Sequence, residues 1–171
     1  MELSDQDIKE YLKKGRINIK PLKNEQIGSA SVDLTLSNEW YLFKEKYIGK
    51  RVDLEKTRFE KVFDKKKADA VLLNPGEMCL GKTIEKITLP KNIMGRLEGR
   101  SRYARMGLIV HTTSALVQPG SDNHQILEIV NLSPFSIVIK KGMRISQITF
   151  SKMQTPTSKP YRIYGKIAKK Q

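Results

Sequence analysis

Cysteine is nearly absent from this 171-residue chain. Cys79 stands alone, which excludes an intrachain disulfide framework and a multi-cysteine metal site. Histidine is scarce: His111 and His124 are the only two, and neither has a partner at metal-ligand spacing. No His-x-Glu with Cys-x-x-Cys occurs, the signature that the common zinc deaminases need. No Gly-x-Ser-x-Gly nucleophile elbow is found either. The apolar runs are short and Met1 is followed by an acidic, polar start, so neither a signal peptide nor a membrane span is expected. The chain is read as a cytoplasmic, soluble protein without internal repeats. Aromatic residues do not alternate with basic ones along any strand, as a nucleic-acid stacking platform requires.

Basic residues are what the chain has in excess. Lys and Arg outnumber Asp and Glu by 32 to 18, a net charge of +14. Three readings stand: affinity for nucleic acid, a site for a highly anionic ligand such as a triphosphate, or background charge spread over the chain. The length suits one domain able to bury its own core.

The segment Leu3-Ser4-Asp5-Gln6-Asp7 opens a short helix, with Ser4 as N-cap, acidic residues in the first turn and Gly15 as stop. Ile8, Tyr11 and Leu12 share one face of it. Strands follow. Ile17 and Ile19 before Pro21 read as an edge piece. Val32, Leu34 and Leu36 alternate with Asp33 and Thr35 as in a half-buried strand. Residues 44–67 are dense in charge and read as a long solvated excursion with one short hairpin. Further strands are expected at 78–87, 93–97, 108–111, 125–132, 136–139 and 144–150, punctuated by Gly and Pro turns. Many short strands with regular turn signals predict an all-β barrel or jelly roll with a short N-terminal helix.

Two features carry chemistry. The first is Gly99-Arg100-Ser101-Arg102-Tyr103-Ala104-Arg105-Met106-Gly107, a cationic, hydroxyl-bearing turn. Its Arg donors and backbone amides suit phosphate oxygens, although a basic turn is also the common form of a solvated loop. The second is Glu128. Ile126, Glu128 and Val130 share one strand face while Leu127 and Ile129 share the other. Both faces look apolar, so the carboxylate is expected to be desolvated, its pKa raised, and fit for general acid/base work. The competing reading is a structural ion pair with an arginine.

Several segments together resemble the dCTP deaminases of the trimeric dUTPase superfamily. They are Leu3 to Ile8 with Ile19-Lys20-Pro21; Ala30-Ser31-Val32-Asp33-Leu34-Thr35-Leu36; the Gly99 to Gly107 turn with Val110-His111-Thr112-Thr113; Leu127-Glu128-Ile129; and Gly142-Met143-Arg144-Ile145. The resemblance implies a dUTPase-like distorted β-barrel or jelly roll of the β-clip type over residues 1–153, with residues 154–171 as a flexible tail closing over the nucleotide. It also implies a homotrimer with active sites between subunits. The implied reaction is hydrolytic deamination of dCTP to dUTP and ammonia, with Mg2+ on the triphosphate and no zinc. By the same resemblance Glu128 activates the water, while Ser101 and Arg105 orient it and support charge at the base. Arg100 and Arg102 hold phosphates, and Ile126 and Leu127 meet the pyrimidine through their main chain. Tyr161 closes over the nucleotide, and Lys166 and Gln171 are candidate phosphate contacts.

The chain departs from the family pattern in places. Gln118 stands where the family has an aspartate that contacts the sugar 3′-hydroxyl and, in dUTPases, activates water for pyrophosphate release. An amide still hydrogen-bonds a hydroxyl but is no base. Deamination without efficient dUTPase activity is the expectation. Ser114 stands where a small Ala is common, and Leu116 where relatives are polar or aromatic, so a changed cytosine nucleotide is a possible substrate. Two other readings stay open: a dUTPase or dUMP-forming relative, and a non-catalytic nucleotide sensor or nucleic-acid-binding protein on the same scaffold.

Overall fold

Alternation of apolar and polar residues builds most of this chain, whose computed structural model describes residues 1–110 and 113–165. The N-terminal helix α1 spans Asp5–Lys13. The Ser4 hydroxyl accepts from the Asp7 amide at 3.3 Å, and the Asp7 carboxylate accepts from the Ser4 amide at 2.9 Å. This reciprocal cap satisfies two otherwise orphaned donors. Ile8 is the buried residue of the helix, and the Leu3 amide donates to the Phe150 carbonyl, mooring the element to the sheet.

The strands are β1 (Asn18–Lys20), β2 (Val32–Phe43), β3 (Phe63–Lys67), β4 (Ala70–Leu73), β5 (Met78–Thr88), β6 (Ile93–Gly99), β7 (Leu108–Val110), β8 (Leu116–Val117), β9 (Asp122–Asn131), β10 (Ile137–Lys140) and β11 (Arg144–Lys152). Nine form one curled sheet in the order β7-β9-β5-β2-β11-β6-β8, with β1 added to β5 and β3 to β2. β4 and β10 pair separately. All named pairs are antiparallel. The mainly β, half-barrel architecture matches the expectation, and the N-terminal edge piece appears as β1. Irregularities in the register bend the long strands, one of them in β5 between Lys82 and Lys86.

The core takes one residue in two from each long strand. Val32, Leu34 and Leu36 of β2, Leu127 and Ile129 of β9, and Ile145, Ile148 and Phe150 of β11 are fully buried. Trp40 is buried with them and its indole N–H donates to the Ala68 carbonyl at 2.9 Å. Among the described residues no helix is long and apolar enough to cross a membrane.

Residues 44–67 require a correction. They are largely exposed, as expected, but more ordered than a solvated excursion. They contain a one-turn helix, α2 (Phe59–Val62), and end in β3, which pairs with residues 39–43 of β2. Phe43 and Phe63 rings lie 4.2 Å apart and Phe59 stands 5.0 Å from Phe63, so an aromatic cluster ties the charged segment down. The lysines of β3 serve an edge strand, where charge discourages pairing with another chain.

Gly107 sets the exit from the basic turn. Its φ is +83°, and an added Cβ would stand 2.8 Å from the Ser133 backbone nitrogen. Replacement by Ala is expected to cost roughly 2–4 kcal/mol, from the left-handed backbone and the clash together. Chemical denaturation of Gly107→Ala checks this; wild-type stability would contradict it.

Candidate functional site

β6 delivers the chain at Gly99 into the basic turn, which is a one-turn helix, α3 (Ser101–Ala104), rather than an open loop. Arg100 caps it with its backbone, since its carbonyl accepts from the Tyr103 and Ala104 amides. The Arg100 side chain is already engaged: its guanidinium stands 3.1 Å from the Asp33 carboxylate and donates to the Arg144 carbonyl at 3.1 Å. Arg102 lies over the Tyr103 ring at 5.7 Å. Ser101, Arg102 and Arg105 are exposed. Arg100, Ser101 and Arg102 line a polar cavity of about 440 Å³, whose opposite wall carries Glu25, Ser31 and Asp33.

The electrostatics of that wall are specific. Burial pushes the Asp33 carboxyl above its ordinary value, against the pull of Arg100 and then Arg144, and the nearby Glu85 adds to the rise. Glu85 is buried and accepts from the Gln26 side-chain amide at 2.7 Å and the Thr35 backbone amide at 2.8 Å. Gln26 also donates to the Asp33 carbonyl at 2.8 Å.

Glu128 lies elsewhere. Its strand β9 buries Asn123, Gln125, Leu127, Ile129 and Asn131, and turns His124, Ile126, Glu128 and Val130 outward. The expected desolvation is therefore not met in the single chain. The Glu128 face is not a second core face: it is half-buried, and its carboxylate accepts from the Thr113 hydroxyl at 2.9 Å and the Thr113 amide at 3.3 Å. Glu128 opens into a cavity of about 1030 Å³ together with Ile126, Ser114, Gln118 and Tyr161. Leu127 points the other way into the core, so only its main chain faces the site. Among the described residues the β7 ladder runs from the Leu108–Asn131 pair to the Val110–Ile129 pair.

Tyr161 reaches this cavity along a defined path. Met153 donates to the Asn92 carbonyl and Thr157 to the Lys91 carbonyl. The Tyr161 amide donates to the Pro119 carbonyl at 3.0 Å and the Arg162 amide to the Gly120 carbonyl at 3.2 Å. This starts helix α4 (Tyr161–Tyr164) directly beside Gln118. His111, Lys166 and Gln171 lie outside the described residues.

The candidates thus divide. Ser114, Gln118, Ile126, Glu128 and Tyr161 share one cavity; Arg100, Ser101 and Arg102 share another; among the described residues the two have no lining residue in common, and Arg105 lines neither. Sequence reasoning missed Tyr41, Arg58 and Phe59, which wall the larger cavity from β2 and α2. The aromatics at 41, 43, 59 and 63, flanking a charged stretch, were the available signal. It also missed that Gly76 to Thr83 matches the Gly-x-x-x-x-Gly-Lys-Thr phosphate-loop pattern. The residues form a turn and the strand β5 instead, where Gly81 packs under Leu36, Ile129 and Trp40.

Among the described residues no cluster of three or more His, Cys, Asp or Glu side chains is placed to hold a metal ion. Asp33 and Glu25, the carboxylates of the smaller cavity, stand against Arg100 and Arg144 at 3.1 and 3.5 Å. Both carboxylates are thus already engaged by arginine, which does not suit a bare cation.

A family model described as dCTP deaminase-like matches residues 2–153. Two similar curated proteins are a dCTP deaminase of Rhodospirillum rubrum, 40% identical over 94% of this chain and 87% of its own, and a dUMP-forming dCTP deaminase of Dictyoglomus thermophilum, 39% identical over 94% and 85%. Among solved structures, a 2′-deoxycytidine 5′-triphosphate deaminase from Agrobacterium tumefaciens superimposes with TM-score 0.65 at 23% identity. The match covers 87% of this chain, which spans 46% of that one. The EIAV dUTPase superimposes with TM-score 0.54 at 14% identity, over 84% of this chain and 92% of its own. These structures share the fold.

Cys79 sits on β5 opposite Ile129, fully buried, and burial pushes its thiol up to about 12. It is no nucleophile in the native state. Native protein at pH 8 is expected to give less than about a tenth of a thiol with an aromatic disulfide reagent and one full thiol after denaturation. Rapid native labelling would contradict this.

Proposed function

The chain belongs to the dCTP deaminase-like family, and from that premise we propose that it is an enzyme hydrolysing dCTP to dUTP and ammonia, with Glu128 as the proton carrier. The observation that carries this reading is the position of Glu128: fixed on β9 between β7 and β5, in the wall of a cavity of about 1030 Å³, beside Ile126 and Gln118. Glu60 lines the same cavity but stands in the one-turn helix α2, a poorer platform for aimed chemistry.

The chemistry needs one carboxylate in two roles. Water adds through oxygen to C4 of cytosine while Glu128 takes its proton and delivers it to N3. The tetrahedral adduct collapses with cleavage of the C4–N4 bond; the second water proton reaches the amino group through the same carboxylate, and ammonia leaves. The Thr113 hydroxyl, 2.9 Å from the carboxylate, holds its orientation. Ile126 in the cavity wall, with the Leu127 side chain turned into the core, supports their reading as pyrimidine contacts, and Tyr161, docked beside Gln118, supports its reading as the residue closing over the nucleotide.

Ser101 and Arg105, which would orient the water and offset charge at the base, lie on the α3 turn outside the Glu128 cavity, Ser101 in the wall of the smaller one. Their separation from Glu128 supports a composite site: the turn of one copy completes the cavity of the next, in a homotrimer. The triphosphate would lie on Arg100 and Arg102, with Lys166 from the C-terminal tail as a further contact. Mg2+, when it accompanies the triphosphate, neutralises phosphate charge there.

Gln118 lines the cavity where a base for pyrophosphate release would stand, and an amide takes no proton at neutral pH. It supports dUTP rather than dUMP as product. The second reading, a dUMP-forming deaminase, is favoured by relatives bearing that name at similar identity.

Glu128→Gln is expected to lower turnover of dCTP by at least about a thousandfold while nucleotide affinity changes less than about fivefold. Near-normal turnover would remove Glu128 from the mechanism. Arg105→Ala is expected to lose turnover as well. Mixing and reassembling the two variants should restore activity at about one site in four by random assortment, which only a site shared between copies permits. Gln118→Asp is expected to add dUMP and pyrophosphate to the products; an unchanged product would count against this placement of Gln118.

A further inference from the structure

We propose that Asp33 is a positioning residue for the nucleotide site: its carboxylate, by gripping Arg100, fixes the start of helix α3 and so aims Ser101 and Arg105. This rests on the deaminase reading for the roles of Ser101 and Arg105, while the grip itself does not.

Asp33 stands on β2 in register with Gln147 of β11, in the middle of the sheet. Its side chain is 16% exposed and that of Arg100 is 34% exposed, so the 3.1 Å contact is shielded from solvent more than a surface pair is. The anchor is rigid on its own side. Gln26 donates to the Asp33 carbonyl, and the same Gln26 amide and the Thr35 backbone bind the buried Glu85.

Arg100 transmits the constraint. Its side chain is held at two points, by Asp33 and by the Arg144 carbonyl, and its backbone amide donates to the Ile145 carbonyl. Its own carbonyl accepts from the Tyr103 and Ala104 amides, closing the α3 turn. Ser101 is the next residue, and the Arg105 amide donates back to the Ser101 carbonyl at 3.1 Å. Release of the guanidinium therefore loosens the start of a one-repeat turn whose other anchors, Tyr103 against the core and Gly107 bonded to Leu132, lie at its middle and exit. The hydroxyl and the second guanidinium move with it. A loss of aim of this kind lowers the rate of the chemical step more than it lowers affinity.

Burial raises the Asp33 carboxyl despite two nearby arginines, so the group is held at a cost to stability. A carboxylate kept in such a place for packing alone would be better replaced by an apolar residue. It also lies beside the proposed phosphate contacts, where a negative charge works against binding a triphosphate. Positioning accounts for both.

The test compares wild type, Asp33→Asn and Asp33→Ala. The amide oxygen of Asn still accepts from Arg100, whereas Ala leaves nothing. The expected order of kcat is wild type, then Asn, then Ala, with Ala down at least tenfold. Affinity for dUTP by calorimetry should fall by no more than threefold in either. Affinity falling in step with kcat would make Asp33 a binding or general structural residue and overturn the proposal, as would a wild-type kcat in both variants. If Asp33→Ala does not fold, Asp33→Asn alone decides: a reduced kcat at unchanged affinity supports the proposal and a wild-type kcat overturns it. A second readout needs no nucleotide. The Arg100 guanidinium NMR signal, identified by its loss in Arg100→Lys, should show hindered rotation in wild type and free rotation in Asp33→Ala. Free rotation in wild type overturns the proposal. Hindered rotation in an enzyme inert to dCTP would sink the deaminase reading and leave the grip standing.

Discussion

The pleat of β9 is the constraint on which the rest depends. Leu127 and Ile129 are completely buried, between Gln125 and Asn131 on the same face. That face can sit only against the core, so the register of the strand is fixed and Glu128 is fixed with it. A slip of one residue would drive the carboxylate into the core and expose two large apolar side chains. Transfer of a charged group into such a place without a partner costs more than a domain of this size can spare. The same pleat turns Ile126 toward the cavity and keeps the Leu127 side chain out of it. One alternation therefore sets both the hydrophobic core and the chemical wall.

The second organising fact is separation. The basic helix α3 and the carboxylate strand β9 belong to different cavities of the chain, although their residue types suit one reaction. On the proposed composite site, their cooperation would come by association of copies. Each half would then have to be rigid by itself, because the match between them would be made across an interface and not by a common scaffold. β9 is rigid through its ladders with β5 and β7. The α3 turn is short; Tyr103 packs it against the core, and Arg100 ties its start to β2 and β11 through Asp33 and the Arg144 and Ile145 carbonyls.

The sequence made some of this legible and hid the rest for physical reasons. The α1 cap, the strands with clean two-residue alternation and the Gly and Pro turns were readable because local chemistry decides them. β3 was not readable as a strand, because Lys65, Lys66 and Lys67 give no alternation; its place comes from pairing with β2 and from the Phe43 and Phe63 rings. β4 and β8 are too short to announce themselves. For the site, Glu128, Gln118 and Tyr161 were singled out by resemblance, and that they line one cavity was not legible in the sequence. The environment of Glu128 was misjudged: Val130 and Ile126 flank it, but apolar neighbours on a strand face do not bury a carboxylate unless another layer covers them. The Arg100–Asp33 contact spans 67 residues of sequence and has no local signature.

The central claim is chemical, and the direct measurement is of products. Purified protein is incubated with dCTP and Mg2+, the nucleotides are separated, and ammonia is assayed in the same samples. The account predicts dUTP accumulating with one ammonia per nucleotide and no pyrophosphate. Accumulation of dUMP would contradict the role given to Gln118. Bound but unconverted dCTP would contradict the deaminase itself.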